Sequence, residues 1–266
     1  MMELIFIIVL CYLFLASLID LKKKEVPDWL SFSLLFITLS YAILNSLNNF
    51  NFLFANAIVF LIFFIIANGL YYGKVFGGGD FKLLLAIAPA INIFFPRFLA
   101  NTLIIAGAYG FVWALAIFFK NIQRATKEVR KKELNKNFFI VFFFSFLLFL
   151  FFFLTYFIQK INLFLVISIF FLLFPWLYLI IKISDKILIV AKKPEELVEG
   201  DLLAQEIKIK DRLINGIIGS EEIKIIKRHG KKVLIKDGIP FVPVFFLSFL
   251  ITPFINLLLT MVYALL

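Results

Sequence analysis

The sequence predicts an all-α polytopic membrane protein of about six to eight transmembrane helices, with a small α+β cytoplasmic domain inserted before the last helix. Three observations carry this. Hydrophobic residues make up 63% of the 266 positions, 38 of them Phe, and only 17% are charged, against a usual apolar share of ~45–50%. The apolar residues fall in runs long enough to cross a bilayer. Charge returns at short period in one long stretch, residues 184–240. A soluble fold of this length has no interior for so much apolar surface, so the excess must face lipid. The composition excludes a soluble enzyme, a disordered tail and a disulfide-built secreted domain. Cys11, the single cysteine, can form neither an internal bridge nor a Cys-rich zinc site.

Taken in order, helices are expected at 3–19, 29–46, 53–72, 81–95, 98–119, 138–158, 163–182 and 241–264. The first run has Glu3 before it and Lys22, Lys23 and Lys24 after it. With no basic n-region and no small-residue cleavage site, it reads as a first span rather than a removed signal. The run 81–95 is too short. It rises only ~22 Å at ~1.5 Å per residue, below the ~30 Å hydrocarbon core; Pro89 sits inside it and Pro96 is expected to end it. The runs 138–158 and 163–182 form a hairpin. Within 184–240, strands are expected at 186–190, 206–210 and 231–236. Ser220 is placed to cap a helix 221–229, with Glu221 and Glu222 in its first turn and Gly230 just past its end. The expected organisation is a transmembrane catalytic region 1–183, the α+β domain 184–240, and a final span 241–266.

The formal charge of +10 reads as orientation rather than partner choice. Of the 27 Lys and Arg residues, 25 fall in 20–28, 73–82, 120–137 and 182–240; only Arg97 and Lys160 fall in the alternate connections. Under the positive-inside rule these four segments are cytoplasmic and both termini lie outside. The bases are anchors at lipid headgroups, and no nucleic-acid-binding pattern accompanies them.

Two acids stand where acids are costly. Asp20 ends the first span and Asp80 opens the short helix. An acid mid-span costs ~2.5–3.5 kcal/mol and less near the ends. Asp20 also lies at a helix C-terminus, where the dipole disfavours negative charge by ~0.3–1 kcal/mol. The topology puts both acids at one membrane face. Two close carboxyls share a proton, so that one draws a proton from water while the other polarises a peptide carbonyl. Gly77, Gly78 and Gly79 precede Asp80. Three glycines in a row serve neither helix nor strand, but they permit φ > 0 and the close approach of a substrate backbone. Separately, Asp80 is also a candidate N-cap for its helix, and Asp20 a candidate partner for Lys22, Lys23 or Lys24. Together, on one face beside a glycine triplet, the two favour catalysis.

Three stretches resemble the GxGD aspartic proteases of membranes, specifically the type IV prepilin peptidases and their archaeal preflagellin branch. They are DLKKKEVPDWL (20–30), GGGDFK (77–82) followed by a small-residue apolar helix, and DGIPFVP (237–243) at the start of the last span. The resemblance covers 1–119 and about 195–264. It implies an aspartic endopeptidase that removes the short basic leader of prepilin-like or prearchaellin precursors at the cytoplasmic face, after a glycine that precedes a hydrophobic helix. The family's catalytic aspartates carry onto Asp20 and Asp80, and its motif glycines onto Gly77 and Gly79. No metal or other cofactor is implied. The tetracysteine domain and methyltransferase activity of many bacterial members have no counterpart in a chain with one Cys.

Other residues have plainer readings. Asp28 follows Pro27 and is a candidate N-cap of the second helix; with Glu25 it is also a candidate contact for a basic leader. Together with the triplet Gly77, Gly78 and Gly79, these two complete the expected substrate-binding set. His229 reads as a helix-end residue. Asn68 and Asn92 are candidates for hydrogen bonds between helices. Trp29, Trp113 and Trp176 suit interfacial belts or packing. Two other function classes fit an acid-bearing polytopic chain: an ion- or proton-coupled transporter, and a non-enzymatic pilus or archaellum assembly factor. The absence of midplane acids and of an inverted repeat argues against the transporter.

Overall fold

The structure is a computed structural model that describes residues 2–47, 50–73, 75–91, 94–129, 132–160, 162–209, 212–214, 216–230 and 232–254. Among the described residues, six helices are long and apolar enough to cross a membrane. Five of them match expected spans closely: α1 (Met2–Lys23), α2 (Asp28–Ser46), α3 (Phe50–Tyr72), α5 (Phe95–Lys120) and α7 (Lys132–Gln159). The sixth, α8 (Asn162–Ile187), runs further than its apolar stretch. The short helix α4 (Gly78–Ile91) and the eight-residue α6 (Ile122–Val129) complete the membrane part before the charged stretch. The last apolar helix, α10, is described over Val242–Ile251; the rest of the expected span 241–264, and Asn92, lie outside the described residues.

Pro96 does not end α4. It stands in the first turn of α5, where its missing N–H has no carbonyl to lose and its fixed φ suits a helix start. Pro89 is inside α4. It removes the donor for the Leu85 carbonyl one turn back and loosens the ladder there. Thr38 of α2 supplies a hydroxyl at this weak point: its Oγ1 donates to the Ala86 carbonyl at 2.7 Å, in a fully buried position. In hydrocarbon no water can replace that bond. Thr38→Val is therefore expected to lower thermal stability by about 1–3 kcal/mol, read as the melting midpoint in detergent.

The described residues form two compact units. The first comprises Met1–Ala106 and Val190–Asn256. Its core joins α1, α2, α3, α4, the start of α5 and α10 through Leu13, Leu34, Phe63, Ile87, Phe98 and Phe245, each fully buried. Lipid is as apolar as these side chains, so close packing and interhelical hydrogen bonds hold the helices together. Phe6 of α1 stacks on Phe249 of α10 at 4.9 Å, and Asn101 of α5 donates to Thr252 at 3.3 Å. The same unit holds the strands β1 (Ile189–Lys192, from Val190 on), β2 (Leu202–Leu203), β3 (Ile207–Ile209), β4 (Arg212–Ile214) and β5 (Val233–Lys236). Strands β1, β5 and β2 form one sheet in that order; β3 and β4 form an antiparallel pair with Ile207 opposite Ile214. Helix α9 (Ser220–His229) covers them, with Ile218, Ile226 and Ile235 buried beneath.

The expected strand at 186–190 is corrected: α8 continues to Ile187, and the strand starts two residues later. Ser220 is not the cap of α9 but its first residue. Gly219 holds the cap position, and the Glu222 carboxylate accepts its N–H at 2.9 Å. Gly230 ends the helix at φ 63°, as its position suggested. His229 stands at that end, a ring nitrogen 3.2 Å from the Ile225 carbonyl.

The second unit, Gly107–Ile189, contains the hairpin of α7 and α8, turned at Lys160 with φ 54°. Phe152 stacks on Phe171 at 5.6 Å, and Trp176 meets Phe138 edge-on. Ser184 donates to the Ala114 carbonyl at 2.9 Å. Asn68, in α3, makes its hydrogen bond within its own helix, to the Phe64 carbonyl, so the expected interhelical role is not what it plays.

Candidate active site

Asp20 lies in the last turn of α1 with 4% of its surface exposed. Its Oδ2 accepts the Val242 N–H at 3.0 Å. That amide belongs to the first turn of α10, where helix donors have no intrahelical acceptor. Pro243 follows and offers none. The opposing dipole at the end of α1 is thus met by the favourable N-terminal dipole of α10. A carboxylate in this position is held in one orientation by a chain segment more than 200 residues away.

The connection is reinforced at the turn. Lys24 closes α1 with φ 56° and donates its N–H to the Asp20 carbonyl at 2.7 Å. Its side chain makes an ion pair with Asp237, just ahead of α10. The direct ion-pair partner of Lys24 is thus Asp237, while its charge also acts on Asp20, the partnership expected from the sequence. Backbone and side-chain contacts form a closed ring: Asp20, Lys24, Asp237, the Gly238–Phe241 segment, Val242 and back to Asp20. Reversing one charge alone, Lys24→Glu or Asp237→Lys, is expected to cost about 0.2–1 kcal/mol, and the double reversal to restore the melting midpoint.

Asp80 stands in the first turn of α4, half-buried. It is not the N-cap residue. The helix starts two residues earlier, and Asp80 reaches back so that its Oδ2 accepts the Gly77 N–H at 3.2 Å, one half of a capping box. The Asp20 and Asp80 carboxyls each accept a backbone amide. They come from α1 and α4 at the same end of the unit.

The triplet divides into three different positions. None of Gly77, Gly78 and Gly79 is among the positive-φ residues, which corrects the expectation that the triplet serves a left-handed turn. Gly79 is needed for space: a Cβ there would lie 3.0 Å from the Val26 Cβ and 3.2 Å from the Val26 N. The close approach is to the chain's own α1–α2 turn. A Cβ at Gly78 would meet nothing within 4 Å, and one at Gly77 only Asp80 Oδ2 at 3.7 Å.

Asp28 is the first residue of α2; Pro27 holds the cap position and no side chain caps the helix. Asp28 instead pairs with Lys82 of α4 at 2.5 Å. This ties the first stretch (20–30) to the second (77–82). Lys82 also lies 5.7 Å from the Phe32 ring. Glu25 is exposed beside them. Phe76, just ahead of the triplet, is buried against Phe241 and Phe245, with ring centroids at 5.1 and 5.7 Å. It joins the second stretch to the third (237–243). Phe76, Val26 and the Val242 amide were not singled out in the sequence. Only Val242 left a signal there, the Pro243 that marks a helix start with free amides. Among the described residues no three His, Cys, Asp or Glu side chains gather where they could hold a metal ion.

The fold defines a multi-pass membrane protein that carries two acids at one end of its first compact unit. Residues 7–119, which carry both acids and the triplet, match the model of the type IV leader peptidase family. That match supports a leader-peptidase-like protease, a hydrolase of peptide bonds, at the family level. No curated protein and no solved structure matches the chain.

Proposed function

We propose that the protein is an aspartic endopeptidase that removes the basic N-terminal leader from prepilin-like or prearchaellin precursors, with Asp20 and Asp80 as its catalytic pair. The observation that supports this most is the convergence of 20–30, 76–82 and 237–245 around these two acids. The Val242 amide holds Asp20 and the Gly77 amide holds Asp80, while Asp28–Lys82 and Phe76–Phe241 tie together the segments that carry them.

In this mechanism the pair shares one proton. The ionised carboxylate takes a proton from water, and the resulting nucleophile attacks the scissile carbonyl. The protonated carboxyl donates to the carbonyl oxygen and stabilises the tetrahedral intermediate. Breakdown returns a proton to the leaving amine, so the pair ends as it began. The open side of Gly77, beside Asp80 Oδ2, leaves room for an extended substrate backbone. Exposed Glu25 supplies negative charge for the leader's bases, while the Asp28 charge is taken up by Lys82. The distribution of Lys and Arg supports a site at the cytoplasmic face with both termini outside.

The direct test is incubation of the purified, detergent-solubilised protein with one precursor of each type. Release of the leader from either supports the reading, and the ratio of the two rates assigns the substrate. Intact precursors after incubation with folded protein would overturn it.

A further inference from the structure

The short length of α4 leaves a space beside it. The helix ends at Ile91, whereas α2 and α3 are both long enough to cross a membrane. Around Pro89 the facing sides of α2 and α3 border a groove of about 590 Å³, lined among others by Leu39, Ala42, Asn56, Ala57, Phe60 and Pro89. It is apolar apart from one group. Asn56 is 5% exposed. Its Nδ2 donates to the Phe52 carbonyl at 3.0 Å, while its Oδ1 has no hydrogen-bond partner among the described residues. An unpaired acceptor in hydrocarbon is costly, so such a side chain calls for a ligand that donates.

We propose that this groove seats the apolar transmembrane helix of the substrate, downstream of the bond that is cut. The inference rests on the reading of Asp20 and Asp80 as a leader-cleaving pair. Two observations single out this occupant. The first is continuity with the site. Helices α2 and α4 both start at the carboxyl end, where Asp28 meets Lys82, and run side by side through the Thr38–Ala86 contact to the groove. From Asp80 to Pro89 the rise is ~14 Å at ~1.5 Å per residue. A substrate helix that starts at the acids and follows α4 comes level with the groove about ten residues past the cut. The second is chemistry. A lipid chain fills apolar space but offers no donor to Asn56; a helix carrying a hydroxyl or amide side chain does. Ala42 and Ala57 are the small residues that let a neighbouring helix backbone come close.

The experiment compares two substrates in the full-length enzyme: a complete precursor, and a soluble peptide of leader plus the first few residues after the cut. In Ala57→Phe, which fills the groove, and in Asn56→Leu, which removes its polar group, the precursor-to-peptide ratio of kcat/KM is expected to fall about tenfold, through KM. A Cys placed at position 57 in a Cys11→Ser background is expected to cross-link to precursor Cys residues about ten positions past the cut. An unchanged ratio in both variants overturns the proposal, as does a cross-link that joins two copies of this chain or none at all. Failure of the wild-type enzyme to cut either substrate would instead overturn the underlying functional reading.

Discussion

Asp20→Asn and Asp80→Asn will each lower leader cleavage by about a hundred- to ten-thousand-fold, while the protein still inserts and melts as one cooperative species. The two substitutions remove the same charge but differ in their structural cost. Asp20 Oδ2 accepts the Val242 N–H, and an Asn side-chain oxygen can accept it too, so the tie between α1 and α10 persists. Asp80 Oδ2 accepts from Gly77, and Asn again keeps an acceptor in place. Each variant therefore loses proton chemistry and little packing. Ala in place of Asp20 is a harsher change. It leaves the Val242 amide buried without a partner, at about 1–3 kcal/mol, and is expected to lose stability along with activity. The comparison separates the two roles of this side chain. Asn at position 20 with wild-type cleavage would sink the catalytic reading, whereas a loss of activity matched by a loss of folding would assign Asp20 to structure alone.

That dual role also shows where the sequence was readable and where it was not. Apolar runs and the positions of the bases are local properties, so six long helices, a short glycine-led one and a charged domain before the last helix could be read from it. The two acids stood out because charge at a span end is expensive. What could not be read was compensation at long range. At the end of α1, Asp20 looked penalised by its own helix dipole. The offsetting dipole belongs to α10, more than 200 residues on, and nothing near Asp20 announces it. The same limit applies to Asp28 and Ser220. Both are good capping residues by type, yet Pro27 and Gly219 hold the caps, because contacts from elsewhere in the chain or further along the helix decide where each helix starts. Asp28 was drawn to Lys82, and Glu222 had already taken the Gly219 amide. The glycine triplet misled in a more specific way. Its composition suggested backbone freedom, whereas the space it provides is needed at a single position.

That position yields the second large effect. Gly79→Ala will impair the enzyme severely, while Gly78→Ala will leave it close to wild type, although the two residues are neighbours and chemically identical. A methyl at Gly79 has to occupy space 3.0 Å from the Val26 Cβ and 3.2 Å from the Val26 nitrogen. Neither is the free end of a flexible side chain, so the first turn of α4 must move away from the α1–α2 turn. Overpacking of this kind costs about 1–3 kcal/mol. The larger consequence is geometric, because Asp80 is the next residue and is carried with the turn, and a shift of a few tenths of an ångström at the proposed reacting group lowers the rate by about tenfold. A methyl at Gly78 meets nothing within 4 Å. It adds helix propensity in the first turn at no steric cost, so its melting midpoint should match or slightly exceed wild type. Rescue checks the cause: Val26→Gly removes the Cβ and Cγ2 that a Gly79 methyl would strike, so the double variant Gly79→Ala/Val26→Gly should recover a measurable part of the lost rate. Equal losses in Gly78→Ala and Gly79→Ala, or a double variant no better than Gly79→Ala, would mean that the triplet serves the substrate directly rather than the packing of α4 that holds Asp80 in place.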